Sequence, residues 1–348
     1  MGEFDLIERF FTRPTPRAVL GVGDDCALLQ PGAGMQLAIS SDMLVSGRHF
    51  FADTDPRGLG HKCLAVNLSD LAACGASPLA FTLALALPEA DAHWLEPFSQ
   101  GLLALADAHG CELIGGDTTR GPLNICITVF GEVPAGQALL RSAAQVGDDI
   151  YVSGTLGDAS LALAQLLWLR QHEGGAQAAQ PASAPVLLDG ADLARARQRL
   201  EQPTPRLALG QALRGVAHAA ADISDGLLGD LGHILQRSQV GASLDCAAAF
   251  GLLAAHRYSA GAAALLGRTE LRSTVLQHVL GGGDDYELVF TAPPHLGAAV
   301  QAAARTSATA VTRIGRIEAA AGLRLLDAQG RRIDAQDFHS FDHFTAGG

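Results

Sequence analysis

The sequence contains no run of lysine or arginine residues anywhere in its 348 positions. Its 24 basic residues are outnumbered by 36 acidic ones, so the formal net charge is −12. Nucleic acids and anionic membrane surfaces are bound mainly through clustered positive charge. We therefore expect no nucleic-acid partner and no membrane partner, and a small-molecule site is the default interpretation.

The six cysteines lack both a C-x-x-C pair and the spacing of metal ligands. Several lie inside apolar runs, which is typical of reduced core cysteines in a cytosolic protein. The N-terminal stretch has acidic residues and no apolar segment of the signal-peptide kind. No apolar stretch approaches the ~20 residues of a membrane span. These absences predict a cytoplasmic protein.

What is present indicates an α/β protein with two domains. Hydrophobic residues make up 48% of the chain and charged residues 17%, which suits a compact globular protein. Asp55 and Pro56 predict the start of a helix that ends before Gly75. The first domain, residues 1–140, is expected to hold a mixed sheet covered by helices. Its strands are predicted at 18–30, 36–44, 81–88, 111–117 and 124–133, and its helices at about 56–74 and 91–109.

Residues 141–348 predict a second α/β domain. Its helices are expected near 156–171, 205–218, 225–238 and 293–305. Its strands are expected near 149–153, 242–246, 286–291 and 310–317. Residues 172–192 are rich in Ala, Gln and Pro and have little periodicity. We interpret them as a surface insertion, because lengthening a loop costs little free energy.

Aspartates recur beside glycine or serine at the edges of apolar segments. The pattern occurs in GDD (23–25), SSD (40–42), LSDLAACG (68–75), GGDTTRG (115–121), DISDG (222–226) and GGGDDYEL (281–288). An ionised carboxylate taken out of water without a partner is very costly. Six such sites are hard to explain as separate surface turns, and we interpret them as places where positive charge binds.

Among these aspartates, Asp70 gives the strongest indication of a bound cation. On the predicted helix it shares a face with Val66 and Cys74, and this stripe should face the sheet. The alternative is an aspartate at a helix end whose carboxylate is satisfied by backbone amides. That alternative fits poorly because Asp70 lies well inside the helix. A buried carboxylate at this position favours a bound cation.

The available ligands are oxygen atoms, which favour magnesium or calcium over zinc. No EF-hand loop, Walker A motif, G-x-G-x-x-G helix start or protein-kinase motif is present. Magnesium completes its coordination with substrate phosphates, so an acidic protein can hold a phosphorylated anion through metal ions. The glycines at 115–116 and 281–283 would let backbone amides approach phosphate oxygens.

Two lone cationic side chains remain open to two interpretations. Arg141 is either an ordinary surface arginine, the commoner case, or a bidentate phosphate clamp. His49, which closely follows the SSD motif, is either a structural histidine, the commoner case, or a group within reach of the metal site.

Taken together, these motifs resemble those of the thiamine-monophosphate kinases. The matching stretches are GEFDLI, GVGDDCALL, AISSDMLVSGRHF, KCLAVNLSDLAACGASP, LIGGDTTRGP, DISDGLLGDLGHI, GGDDYELVF and FDHF. They follow the same order across nearly the whole chain, and residues 172–192 are the main unmatched part. That family belongs to the superfamily of aminoimidazole-ribonucleotide synthetase and selenophosphate synthetase. Its members pair an α/β ATP-binding domain with a second α/β domain and typically form homodimers through the first-domain sheets.

The resemblance implies that ATP and several Mg²⁺ ions are used to phosphorylate thiamine monophosphate to thiamine diphosphate. It implies thiamine monophosphate contacts at His49, Asp284 and Phe341. It also implies nucleotide contacts at Gly116, Asp117, Arg141 and Ser224, and magnesium ligands at Asp25, Ser40, Ser41, Asp42, Asp70, Asp117, Asp222 and Asp225. Asp284 stands where the family often has Glu, and Ser41 replaces a frequent Thr.

The chemistry of the acceptor explains why we assign no general base. A phosphate monoester has a second pKa near ~6 and is mostly dianionic at neutral pH, so direct in-line transfer needs no proton removed. Three alternatives stay open at this point: an amidine-forming cyclo-ligase, a selenophosphate synthetase, and a non-catalytic divalent-metal protein. The selenophosphate reading is weak because the first cysteine, Cys26, lies inside a predicted strand and not in a flexible N-terminal segment.

Overall fold

The computed structural model describes residues 2–172, 185–334 and 338–341. The chain divides into two compact units, Met1–Ala138 (unit 1) and Leu139–Gly348 (unit 2). Each unit contains its own sheet, of four strands in unit 1 and seven in unit 2 among the described residues. No helix in the described part of the chain is long and apolar enough to cross a membrane.

Unit 1 is a four-stranded sheet in the order β1-β4-β2-β3. Strand β4 runs antiparallel to both β1 and β2, and β2 runs parallel to β3. The elements are α1 (Glu3–Phe10), β1 (Met35–Val45), α2 (Pro56–Ala73), β2 (Ser77–Leu87), α3 (Ala92–His109), β3 (Glu112–Arg120) and β4 (Asn124–Pro134).

Helices α2 and α3 cover one face of this sheet. The Asp55 side chain accepts a hydrogen bond from the Gly58 amide at 2.8 Å, and Pro56 occupies the first position of α2. This is the N-terminal signal read from the sequence. Ile125, Ile127 and Val129 alternate along β4 and are fully buried beneath the helices. The predicted helix-covered mixed sheet is confirmed.

The opposite face of the sheet, which we call the open face, is exposed along β1 and partly apolar. Leu37, Ile39 and Met43 alternate along β1 on this face with exposed fractions of 43%, 59% and 54%. Their partners across the β1–β4 ladder are Glu132, Phe130 and Cys126. Three large apolar side chains in one row are more than the scattered exposure of an ordinary surface.

The strand predicted over residues 18–30 is wrong. This stretch forms only isolated bridges, such as that between Leu20 and Leu28. Its ends are held by carboxylates of the sheet. Glu112 accepts from the Arg17 and Ala18 amides, and Glu132 accepts from the Gly32 amide at 2.9 Å. The glycines and adjacent aspartates disfavour a regular strand here.

Unit 2 is a seven-stranded sheet in the order β11-β10-β7-β9-β5-β8-β6, in which only β10 and β7 pair in parallel. The elements are β5 (Asp149–Ser153), α4 (Asp158–His172), α5 (Gly190–Glu201), α6 (Leu207–Ala212), β6 (Ala219–Ile223), α7 (Leu227–Ser238), β7 (Gly241–Asp245), α8 (Cys246–Phe250), α9 (Ala260–Leu266), α10 (Arg272–Gly281), β8 (Glu287–Ala292), α11 (Gly297–Thr306), β9 (Val311–Glu318), β10 (Gly322–Leu326) and β11 (Arg332–Ile333).

The proposed surface insertion, residues 172–192, differs from expectation where it can be described. Residues 173–184 lie outside the described residues. Val186 and Leu188 are buried, and both main-chain groups of Leu188 bond to the Gln165 amide at 2.9 Å. Helix α5 begins at Gly190. The last residues of this segment therefore belong to the core of unit 2.

Candidate active site

In unit 1, the SSD motif and Asp70 meet on the helix-covered face of the sheet. The Ser40 hydroxyl donates a short hydrogen bond to the Asp70 carboxylate. The Asp42 amide donates to the Asn67 side chain at 3.1 Å. Side chains two residues apart on a strand share a face, so Ser40 and Asp42 both face α2. Asp70 faces the sheet, as its position on α2 predicts.

Asn67 is a site residue that sequence reasoning missed. It is fully buried, and its amide nitrogen donates to the Cys63 carbonyl at 3.0 Å. That bond orients the amide so that its oxygen meets the Asp42 main chain. The available signal in the sequence was an asparagine three residues before Asp70, on the same side of the predicted helix. A side-chain amide buried there requires hydrogen-bond partners.

Ser41, Gly116 and Asp117 lie elsewhere in the sheet. The Ser41 hydroxyl is on the open face, 2.9 Å from the Thr128 hydroxyl. Asp117 pairs in register with Ala84, which also lies on the open face. At Gly116 the φ angle is +147°, and an added Cβ would lie 1.8 Å from the Leu83 carbonyl oxygen, so only glycine fits. The side chains of Ser41 and Asp117 are thus not brought to Asp70.

Asp25 and His49 occupy loops of unit 1. Asp25 is exposed in the irregular stretch between the Glu112 and Glu132 anchors. His49 follows β1, where its Nδ1 accepts a hydrogen bond from the Val45 amide at 3.0 Å. An accepting Nδ1 means that a neutral ring carries its proton on Nε2.

In unit 2, three segments carrying predicted site residues bond to one another. We call them the SDG loop (residues 222–226), the DDY loop (residues 281–286) and the C-terminal segment (residues 338–341). The Asp284 amide donates to the Ser224 carbonyl at 2.8 Å, and the Phe341 amide donates to the Asp225 carbonyl at 3.0 Å. Asp222, Ser224, Asp225, Asp284 and Phe341 are therefore assembled at one end of β6.

Glycines allow the SDG and DDY loops to touch. An added Cβ at Gly283 would lie 2.5 Å from the Ser224 carbonyl oxygen, and one at Gly226 would lie 2.6 Å from the Gly281 oxygen. The glycines of the DDY loop thus allow close packing between main chains. The approach to phosphate predicted for them stays a prediction. Asp284 and Tyr286 adopt φ angles of 69° and 51°. Such conformations are strained for side chains of this kind and cluster at functional sites.

A buried ionic network fixes the start of β8, directly after the strained loop. Glu287 is fully buried, and its carboxylate accepts from Arg199 at 2.9 Å and from the Arg206 Nε at 2.6 Å. Ser153 donates to the same carboxylate at 2.6 Å. Asp285 accepts from the Gly157 amide at 2.7 Å, and burial raises the pKa of its carboxyl well above the usual range.

Asp230, in the first turn of α7, holds the SDG loop from beneath. One carboxylate oxygen accepts from the amides of Ser224, Asp225 and Gly226 at 3.1, 3.1 and 3.2 Å. Burial, followed by the nearby charge of Asp225, raises the pKa of Asp230 to about 7. The sequence motif contained this residue, but nothing in it distinguished Asp230 from a surface aspartate.

Arg141 lies away from this assembly in unit 2. Its carbonyl accepts from Ser238, at the C-terminal end of α7, whereas the SDG loop lies at the N-terminal end. Twelve helical residues separate those ends by about 18 Å. The Arg141 main chain is thus not adjacent to Ser224. Phe341 does lie at the assembly, with 38% of its surface exposed for a ligand to contact.

The donor set suits a magnesium ion that is shared with a substrate. No group of three or more His, Cys, Asp or Glu side chains in the described ranges could hold a metal by itself. Magnesium, however, is usually bound by one or two carboxylates together with substrate phosphates. Asp42 and Asp70 in unit 1, and Asp222 and Asp225 in unit 2, provide oxygen donors of that kind.

Comparison with known proteins gives the family. Residues 23–133 match the AIR synthase related protein, N-terminal domain, and residues 145–328 match the corresponding C-terminal domain. The thiamine-monophosphate kinase of Salmonella typhimurium is 44% identical over 348 residues, covering 99% of this chain and 98% of the relative. The chain belongs to the thiamine-monophosphate kinase family. The enzyme of Escherichia coli K12 is 42% identical with the same coverage.

Solved structures of the family share this architecture. Thiamine-monophosphate kinase from Stenotrophomonas maltophilia K279a is 46% identical, has a TM-score of 0.76, and covers 95% of this chain and 96% of its own. AaThiL complexed with AMPPCP and TMP is 26% identical with a TM-score of 0.71, covering 90% and 89%. The predicted fold class and the predicted family are both confirmed.

Proposed function

We propose that this protein transfers the terminal phosphoryl group of ATP to thiamine monophosphate, giving thiamine diphosphate and ADP. The observation that carries the proposal is similarity to thiamine-monophosphate kinases along 99% of the chain. A related protein has been solved with AMPPCP and TMP together, at 26% identity to this chain. Direct phosphoryl transfer requires that one protein bind the nucleotide and the acceptor at the same time.

Magnesium would be held by carboxylates in each unit, considered separately. We assign Ser40, Asp42 and Asp70 to this role in unit 1, and Asp222 and Asp225 in unit 2. Asp25, Ser41 and Asp117 are proposed as ligands only of a magnesium ion separate from the one at Asp70, because Ser41 and Asp117 lie on the other face of the sheet. Bound Mg²⁺ would offset the repulsion between two phosphorylated substrates and stabilise charge on the transferring group. Buried partners such as Asn67 and Asp230 hold these residues in place before substrate arrives.

The chain's other residues bind and orient the substrates. Gly116, Asp117, Arg141 and Ser224 are proposed to contact ATP. Asp284 would face the positive charge of the thiamine group, and Phe341 offers an aromatic surface for its rings. His49 is proposed to contact the same substrate. No side chain has to remove a proton, because the attacking phosphate is already dianionic at neutral pH.

We further propose a homodimer in the cytoplasm. The row of Leu37, Ile39 and Met43 on the open sheet face supports a second copy as the partner, since such rows mark interaction surfaces. The six cysteines are all free, including the exposed Cys26 and the half-buried Cys126. Free cysteines are usual in a reducing compartment.

The test is ADP release with each of two acceptors, thiamine monophosphate and thiamine, in the presence of Mg²⁺. The proposal predicts rapid release with the monophosphate and none above background with thiamine. Equal rates with both acceptors, or none with either, would contradict it. Calorimetric titration of Mg²⁺ with and without a nonhydrolysable ATP analogue separates the enzyme from a protein that only binds metal, because the enzyme requires cooperative binding.

A further inference from the structure

The SDG loop has its main-chain donors and acceptors on opposite sides. Its three consecutive amides, from Ser224 to Gly226, all point at one oxygen of Asp230. Its carbonyls point the other way. Those of Ile223 and Ser224 accept from the DDY loop, and that of Asp225 accepts from the C-terminal segment. Asp230 therefore supports the same loop to which the DDY loop and the C-terminal segment are hydrogen-bonded.

Three convergent amides at the start of a helix form a concave site, or cradle, that suits an anion such as a phosphate group. In this chain the cradle is filled by the chain's own carboxylate, which is only 3% exposed. The three main-chain amides of the SDG loop are thus already hydrogen-bonded to Asp230. The loop can contact a ligand through the side chains of Asp222, Ser224 and Asp225.

We propose that Asp230 is a positioning residue for phosphoryl transfer, setting the SDG loop so that Asp222 and Asp225 can share a magnesium ion with substrate. This inference rests on the proposed function of those two aspartates. It predicts that Asp230 acts on metal binding without touching the metal. Outer residues that orient metal ligands typically contribute about 10- to 100-fold to metal affinity.

A purely structural role for Asp230 is the competing explanation, since its carboxylate also caps α7. Asp245 provides the matched control. Its carboxylate accepts from the Ala247 and Ala248 amides at 2.8 and 3.1 Å and so caps α8. It is the last residue of β7, which lies four strands away from β6 in the same sheet. Loss of either cap lowers the melting temperature, but only loss of Asp230 should weaken magnesium binding.

The experiment compares D230N, D230E, D230A and D245A with the unaltered protein. Magnesium affinity is measured by calorimetry with a nonhydrolysable ATP analogue, and amide hydrogen exchange is measured over residues 222–228. D230A should weaken magnesium binding by about tenfold or more and accelerate exchange of the three amides. D230N keeps an acceptor oxygen and should restore most of the protection. D245A should leave both readouts unchanged.

Equal magnesium affinity in D230A and D245A would overturn the proposal and leave Asp230 as a helix cap only. If D230A does not fold, D230E decides, because it retains a carboxylate displaced by one methylene and should still weaken magnesium binding. Failure of the proposed function itself gives a different result. In that case D225N would leave magnesium affinity unchanged, while the exchange measurement would still report whether Asp230 orders the loop.

Discussion

Replacement of Glu287 by glutamine should strongly destabilise unit 2. The carboxylate is fully buried and pairs with two arginines whose side chains are only 20% and 17% exposed, Arg199 and Arg206. Glutamine keeps the shape but presents an NH₂ group to donors and leaves buried positive charge uncompensated. Breaking a buried ion pair by removing one partner costs about 3–5 kcal/mol, and we expect a loss of that size.

The assay is urea denaturation of Glu287→Gln beside the matched variant Glu318→Gln. Glu318 pairs with Arg324 at 3.0 Å but is 35% exposed. Exposed pairs contribute less than about 1 kcal/mol, so the control should remain close to the unaltered protein. A Glu287→Gln variant within about 1 kcal/mol of the unaltered protein would refute the reasoning. It would mean that the network carries little net free energy.

Three further predictions concern the site and its surroundings. Gly116→Ala should lower the free energy of unfolding of unit 1 by about 3 kcal/mol or more, because its Cβ would overlap the Leu83 carbonyl at an unfavourable φ; an unchanged denaturation midpoint would contradict this. If Asp42 ligates magnesium as proposed, Asp42→Asn should reduce kcat by more than about 100-fold with an unchanged melting temperature, because loss even of an outer residue that orients a ligand costs about 10- to 100-fold; full activity would remove Asp42 from the metal site. His278 bonds to Ser160 at 2.9 Å, and burial lowers the pKa of its imidazole from 6.5 to about 4. Folding therefore disfavours the protonated imidazole. The stabilisation of the folded state by neutral His278 is fully present above about pH 6.5, and the free energy of unfolding falls by about 3 kcal/mol towards pH 4; His278→Asn should flatten that part of the profile of unfolding free energy against pH.

Much of the fold can be predicted from the spacing of apolar residues and from the residue types that mark helix ends. Asp55, Pro56 and Gly75 bound α2, and alternating apolar residues mark β4. Strand β6 shows where such reasoning stops. Its residues, Ala219 to Ile223, are all buried, so no polar alternation reveals a strand, and alanine has low strand propensity. Helix α5 was hidden because it follows a segment of low complexity.

The site also contains residues that can be recognised from the sequence and residues that cannot. An aspartate inside an apolar helical stripe, such as Asp70, can be recognised from sequence because its burial demands a partner. The two adjacent carboxylates of the DDY loop cannot be told apart in this way. Only the structure shows that Asp285 turns inward to the Gly157 amide while Asp284 adopts a positive φ on the turn. The role of Asp230 depends on three main-chain contacts with a loop, which residue type alone does not encode.

The most direct test of the proposed function is to follow both products of a single reaction by phosphorus NMR. The protein, ATP, Mg²⁺ and thiamine monophosphate are mixed, and each phosphorus resonance is recorded with time. The proposal predicts that thiamine diphosphate and ADP appear together in equal amounts, with no inorganic phosphate released. Release of inorganic phosphate while thiamine monophosphate stays unchanged would contradict it.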